Sequence, residues 1–142
     1  MRTLTQLLEA KGGEIHTIGP DARVYDALKL MAEKDVGALV VVDAGKLAGI
    51  ISERDYARKV ILQGKSSYDI PVSEIMTGKV ITVQPSQTVE DCMALMTSRR
   101  VRHLPVIDGE RLVGVVSIGD LVKEVIAEQE QTIKQLESYI HS

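Results

Sequence analysis

The sequence predicts an α+β fold of two tandem β-α-β-β-α repeats, packed sheet against sheet with pseudo-two-fold symmetry and flanked by N- and C-terminal helices. Three observations carry this. The first is self-similarity. Shifting the chain by 65 positions aligns residues 15–61 with residues 80–126 without a gap, and sixteen of the forty-seven pairs are identical, the mark of a duplicated unit. The second is hydrophobic periodicity, which switches between helix and strand at matching places in the two copies. The third is size. The chain has 142 residues, 44% hydrophobic and 26% charged, the balance of a soluble globular domain. One copy of roughly sixty residues is marginal alone, and two can bury each other's apolar faces.

A helix is expected first, over residues 3–11, closed by Gly12 and Gly13. Each repeat then opens with a short strand (residues 16–18 and 81–83) ending at Pro20 or Pro85, which cannot donate a ladder hydrogen bond. A helix follows. Val24, Ala27, Leu28 and Met31 stand at i, i+3, i+4 and i+7, and Val89, Cys92, Met93 and Met96 repeat that face. Two β-rich runs come next in each copy, residues 38–43 with 47–52 and 103–108 with 112–117, joined by short polar connections as hairpins require. The runs 39–42 and 113–116 are continuously apolar, which predicts sheets covered on both faces. A second helix starts at Ser52 or Ser117. Residues 64–71, GKSSYDIP, have the composition of a linker. The expected division is an N-terminal helix over 1–14, repeats over 15–70 and 71–127, and a helical extension over 128–142. In that extension Ile126, Ile133 and Ile140 recur every seven residues, with Gln129 and Leu136 between them. Two readings of it stay open: a helix packing on its own module, or one pairing with a second chain.

Composition excludes several functions. Twenty acidic against seventeen basic residues give a formal charge of −3, which argues against bulk electrostatic binding of nucleic acid. A single cysteine, Cys92, rules out an intramolecular disulfide framework and a cysteine-rich zinc cluster. Its place on the apolar helix face reads as a small buried hydrophobe rather than a nucleophile. No run approaches the ~18 apolar residues of a membrane span. The first residues carry charges where a secretory signal has an apolar stretch, so the expected location is the cytoplasm. The three histidines share no metal-ligand spacing, and no nucleophile has an adjacent base.

Two segments, GIISERD (49–55) and GVVSIGD (114–120), stand in register and share a Gly-x-x-Ser-x-x-Asp pattern. With RVRHLPVID (100–108) and SEIMTGKVITV (73–83), they resemble the tandem CBS-domain family over residues 15–126. The resemblance implies a regulatory module that binds adenosine-containing ligands in clefts between the copies, and two such chains assembling into a flat disc. By itself each Ser-x-x-Asp reads equally as a helix N-cap with an acidic third residue. As a site, Asp55 and Asp120 accept the two vicinal hydroxyls of a ribose, beside the serine hydroxyl and the free N–H groups of the first helical turn. Carried over from the family, the first cleft uses Ile50, Ser52 and Asp55 facing Gly78, Lys79, Val80, Val101, Arg102, His103 and Pro105. The second uses Val115, Ser117 and Asp120 facing Gly13, Glu14, Ile15, Val36, Gly37 and Ala38.

The two clefts differ in charge. The first gathers Lys79, Arg102 and His103, with Arg54 and Arg58 near Asp55, a set suited to a phosphate. The second has Glu14, Gly37 and Ala38 at the matching positions, so it stays empty, takes a less charged ligand or borrows Arg54. Arg99 and Arg100 read as a helix end favoured by its dipole. With four Tyr and no Phe or Trp, a base must be held by aliphatic walls and backbone hydrogen bonds, with Tyr56 and Tyr68 the available rings. The leading expectation is a non-enzymatic homodimeric sensor of adenosine nucleotides, AMP first, acting on a separate effector protein. It needs no cofactor, and ATP, ADP, NAD and S-adenosylmethionine are the other candidate ligands. A structural adaptor with vestigial clefts and an enzyme acting on nucleotides are the alternatives. Neither a membrane nor a nucleic acid is an expected partner.

Overall fold

In the computed structural model, which describes residues 2–12 and 14–141, helices and strands follow the order that the duplication predicts. Helix α1 (Leu4–Lys11) comes first. The first repeat supplies β1 (Thr17–Ile18), α2 (Val24–Lys34), β2 (Ala38–Asp43), β3 (Lys46–Ser52) and α3 (Glu53–Lys59), followed by a 3₁₀ turn, Ile61–Gln63, and the short helix α4 (Val72–Ile75). The second supplies α5 (Val89–Arg99), β4 (His103–Asp108), β5 (Arg111–Ser117) and α6 (Ile118–His141). The fold is α+β. Two compact units divide the chain: Glu14–Ile81, and Met1–Gly13 together with Thr82–Ser142.

In the unit Glu14–Ile81, β1 runs parallel to β2, and β2 pairs antiparallel with β3. Ala44 (φ 50°) and Gly45 (φ 79°) form the two-residue turn between them. Both are left-handed, the hand that keeps the twisted strands paired. The register shift after Val41 leaves Ala48 without a partner, a bulge next to Gly49. The apolar face of α2 (Val24, Ala27, Met31) meets Leu39, Val41 and Ile51 in one core.

Three further members of that core, Ile70, Val72 and Ile75, come from the chain beyond the repeat's second helix. Residues 64–71 are therefore not a loose linker. Arg23, the N-cap of α2, makes no side-chain cap bond, so the first N–H groups of α2 need other acceptors. Ile70 and Ser67 supply them: Val24 N–H donates to the Ile70 carbonyl (2.9 Å) and Tyr25 N–H to that of Ser67 (3.0 Å). The Tyr25 and Tyr68 rings stack with centroids 4.4 Å apart.

The other unit repeats the hairpin, with β4 and β5 antiparallel and the matching register shift after Val106. Gly109 (φ 65°) opens its turn. The strand expected over residues 81–83 shrinks to a single parallel bridge, Val83 with Val106. Val83 N–H donates to the Pro105 carbonyl (3.0 Å) and Ile107 N–H to that of Val83 (2.8 Å). Extending this ladder toward Ile81 needs an N–H at position 105, and proline has none. The first repeat has Val40 at that place, paired with Thr17. Helix α5 buries Val89, Cys92 and Met96, and α6 buries Leu121. The expected extension over 128–142 is no separate element within the described residues, because α6 runs unbroken from Ile118 to His141.

Helices α1 and α4 are the same device. Val72 and Ser73 N–H donate to the carbonyls of Ala22 and Pro20, while Leu4 and Thr5 N–H donate to those of Gln87 and Pro85. Both helices bury two apolar residues, Val72 and Ile75 in one and Leu4 and Leu7 in the other. Met76 and Leu8 then lie over Gly49 and Gly114. The matching positions are 68 apart, not 65, because α1 carries an extra turn. Hence Val72 and Ile75, although next to the second repeat in sequence, complete the core of the first, with Met76 packed against it.

A Cβ at Gly49 would lie 2.7 Å from the Thr77 carbonyl oxygen, whereas one at Gly114 would meet only the end of the Leu8 side chain, at 2.7 Å. Backbone cannot give way as a side-chain tip can. Gly49→Ala is predicted to cost about 1–3 kcal/mol in urea unfolding and Gly114→Ala clearly less. Equal losses would show that the Thr77 contact is not the constraint.

Candidate functional site

Each Ser-x-x-Asp sits where a strand turns into a helix. Ser52 ends β3 and caps α3: Asp55 N–H donates to Ser52 Oγ (3.2 Å), while Ser52 N–H and Oγ–H both donate to Asp55 Oδ2 (3.0 Å each). Lys59, one turn along, reaches Asp55 Oδ1 at 3.1 Å and donates to the Ile75 carbonyl at 2.8 Å. Beside this corner the backbone of Ile50 exchanges two hydrogen bonds with Thr77 (3.0 and 2.9 Å). The chain continues from there into Gly78, exposed Lys79 and half-buried Val80. Across β2, Ala38 pairs with Ser52, and Glu53 N–H donates to the Gly37 carbonyl (3.1 Å). Half-buried Val36 returns its N–H to Met31 (3.0 Å). Arg54 and Arg58 are exposed on α3, and Glu14 lies 3.9 Å from Lys34. Ile15 is half-buried. Gly13 lies outside the described residues.

The second corner has the same frame and different charges. Ser117 N–H donates to Asp120 Oδ2 (2.8 Å), and Asp120 N–H to Ser117 Oγ (3.1 Å). The Lys11 ammonium, from the extra turn of α1, donates to both Asp120 Oδ2 and the Val115 carbonyl, at 2.8 Å each. His103 pairs in register with Ser117, and Ile118 N–H donates to the Arg102 carbonyl (2.9 Å). Val101 is half-buried and Pro105 buried. Within their own unit, then, Arg102 and His103 stand beside Ser117 and Asp120, in the place that Gly37 and Ala38 take beside Ser52 and Asp55.

Burial pushes the Asp120 carboxyl up, but the hydrogen bonds from Lys11 and Ser117 outweigh it and hold the group below the usual carboxylate range. Burial pulls His103 below the ordinary imidazole value; Asp120 opposes this, and Lys11 and Arg102 add to it. His103 is therefore neutral at pH 7 in this state. The corner combines a carboxylate, a serine and the side chains of Lys11, Arg102 and His103, which suits a polyol next to an anion.

Lys11 and Lys59 are site residues that the sequence motifs do not point to. Lys59 has a readable signal, since it stands four residues after Asp55 on a helix. Lys11 has none, because the extra turn of α1 breaks the 65-residue alignment. A cavity of about 170 Å³ lined by Leu28, Met31, Ala32, Asp35, Val36 and Glu53 falls below the ~300–1,000 Å³ of small-molecule sites. It is no nucleotide pocket by itself.

A pair of strand–helix corners, each with a Ser-Asp cap and one in each copy of a duplicated unit, defines a two-repeat module. The family model for the CBS domain matches twice, at residues 13–61 and 72–127, and the chain belongs to the CBS-domain family. It is 46% identical over 147 residues to the CBS domain-containing protein CBSX3, mitochondrial, of Arabidopsis thaliana, covering 97% of this chain and 71% of that protein. A solved CBS-domain protein from Burkholderia ambifaria MC40-6 is 58% identical with a TM-score of 0.87, over 90% of this chain and 96% of that one. The CBS domain pair of protein MJ0100, solved in complex with 5′-methylthioadenosine and S-adenosyl-L-methionine, is 27% identical with a TM-score of 0.80, over 90% of this chain and 98% of that one. No helix among the described residues is long and apolar enough to cross a membrane.

Cys92 stands apart from both corners. It is fully buried, and burial, then Asp91, pushes its thiol up to about 11. A thiolate-selective reagent at pH 7.5 is predicted to leave the folded protein unmodified and to label one thiol per chain in denaturant. Rapid labelling of folded protein would contradict the buried placement.

Proposed function

We propose that this chain is a non-enzymatic regulatory module that binds adenosine-containing nucleotides, AMP foremost, and works as a homodimer on a separate effector protein. The observation that carries this reading is the duplicated corner, in which a carboxylate and a serine stand at a helix N-terminus beside a strand end. The MJ0100 pair, complexed with two adenosine compounds, supports it. In this reading Asp55 and Asp120 take the ribose hydroxyls, Ser52 and Ser117 contact the sugar or phosphate, and Ile50, Val80, Val101 and Val115 wall the base. Lys11, Arg102 and His103 around Asp120 favour a single phosphate over a long polyphosphate track. Ligand acts through its different affinity for two shapes of the module.

One observation favours a structural adaptor instead. Both oxygens of Asp55 and Oδ2 of Asp120 already accept hydrogen bonds from caps and lysines. Calorimetric titration with AMP, ADP, ATP, NAD and S-adenosylmethionine separates the readings. The nucleotide reading expects saturable binding, with AMP tightest. Asp55→Ala and Asp120→Ala are each expected to weaken one site about 10–100-fold, the value of one or two charge-assisted hydrogen bonds. Folded protein that binds none of the five leaves the adaptor reading standing.

The depressed His103 yields a signed pH dependence. A phosphate beside the imidazole favours its charged form, so the bound-state pKa lies above the free-state one. Binding then takes up a proton and strengthens as pH falls through that window, levelling off below the free-state value. AMP affinity is predicted to rise between pH 8 and pH 6 while adenosine affinity stays level, and His103→Gln to flatten the AMP curve. Parallel AMP and adenosine curves would remove His103 from the phosphate site.

A further inference from the structure

The buried side of helix α6 lies in its N-terminal half. Leu121 is buried, Glu124 pairs with Arg2 at 2.8 Å, and Val125 is half-buried. From Gln129 to His141 every residue is exposed. That stretch is as short as isolated helices that are marginal in water, and it carries large apolar side chains. Val122, Ile126, Ile133, Leu136 and Ile140 are 40–76% exposed. With Gln129 they stand at 122, 126, 129, 133, 136 and 140, alternating steps of four and three along one seam, the a/d pattern of a two-stranded coiled coil.

We propose that this seam binds the same helix of a second copy of the chain, in antiparallel orientation. The inference rests on the homodimer part of the functional reading and names the surface and its geometry. Antiparallel pairing sets a positions against d positions. A two-fold axis at residue 131 satisfies every layer at once: Ile126 meets the partner's Leu136, Ile133 the partner's Gln129, and Ile140 the partner's Val122. Flanking the seam, Lys123 meets the partner's Glu137, and the reciprocal contact doubles the pair. One like-charge contact, Glu130 with the partner's Glu130, stands against those two. In a parallel pair the flanking contacts are Val125 with the partner's Glu130 and Thr132 with the partner's Glu137, and no opposite charges meet. Opposed helix dipoles add to the preference.

Sedimentation equilibrium of the full chain, with circular dichroism to confirm folding, tests this. Wild type is expected to be dimeric at micromolar concentration. Ile133→Glu, at a side chain 54% exposed, is expected to raise the dissociation constant at least tenfold. Lys123→Glu should also weaken the dimer, and Lys123→Glu with Glu137→Lys should restore it, because only antiparallel pairing brings the exchanged charges together. A dimer untouched by Ile133→Glu overturns the helix surface and leaves the homodimer reading intact. A monomeric wild type overturns both. Loss on Ile133→Glu without charge-swap rescue overturns the antiparallel geometry.

Discussion

The close passage of Thr77 over Gly49 ties the architecture together. A strand residue with any side chain at position 49 would hold off the Thr77 carbonyl, which a Cβ there would approach to 2.7 Å. With glycine present, Ile50 and Thr77 exchange two backbone hydrogen bonds, and the chain that made them continues as residues 78–81 beside the Ser52–Asp55 corner. The same approach delivers Val72 and Ile75 to the core and leaves the Ile75 carbonyl within reach of Lys59. One missing methyl group thus couples the core of a unit to its candidate site. In the other unit Gly114 takes the same role beneath Leu8, but against a side chain that can move, so the coupling there is softer.

Both corners use one carboxylate twice. A helix N-terminus leaves N–H groups without partners, and the aspartate and serine satisfy them reciprocally. A carboxylate offers about four acceptor positions, so capping does not exhaust it. What differs is the cation that occupies the remainder. At Asp55 it comes from the same helix, through Lys59; at Asp120 it comes from α1, through Lys11. Glu124 stands where the repeat would place a second Lys59, and it turns instead to Arg2. The duplicated scaffold has therefore kept its geometry while its charges diverged.

Much of this was legible in the sequence. The 65-residue shift located both hairpins and both long helices, and the spacing of Ser and Asp announced capped helix starts. Four features were not legible, each for a physical reason. Pro105 looks like an ordinary strand residue until one asks which ladder bond its missing N–H would have made. Ile70, in a stretch rich in Gly, Ser and Asp, is drawn into the core because α2 lacks a side-chain cap and takes its acceptors from the passing backbone. The kinship of α1 and α4 escapes alignment because at an offset of 68 only Lys11 and Lys79 coincide along α1; the shared acceptors, Pro20 and Ala22 against Pro85 and Gln87, reveal it. Lys11 was hidden with it. The grouping of basic residues around Asp120 could not be read from the family pattern, which sets the strand entry of one repeat against the Ser-x-x-Asp of the other.

The division of the chain into an uninterrupted unit and one made of two distant pieces sets an order of events during synthesis. Once Ile81 has left the ribosome, the unit Glu14–Ile81 has every residue of its core. Helix α1, made before that unit, waits. The loop carbonyls of Pro85 and Gln87, which receive its first N–H groups, and Gly114, over which Leu8 packs, are made later. At about 5–20 residues per second that delay lasts seconds, during which Leu4 and Leu7 travel uncovered. A helix made well before its partners thus finds its place only after the unit that follows it is complete.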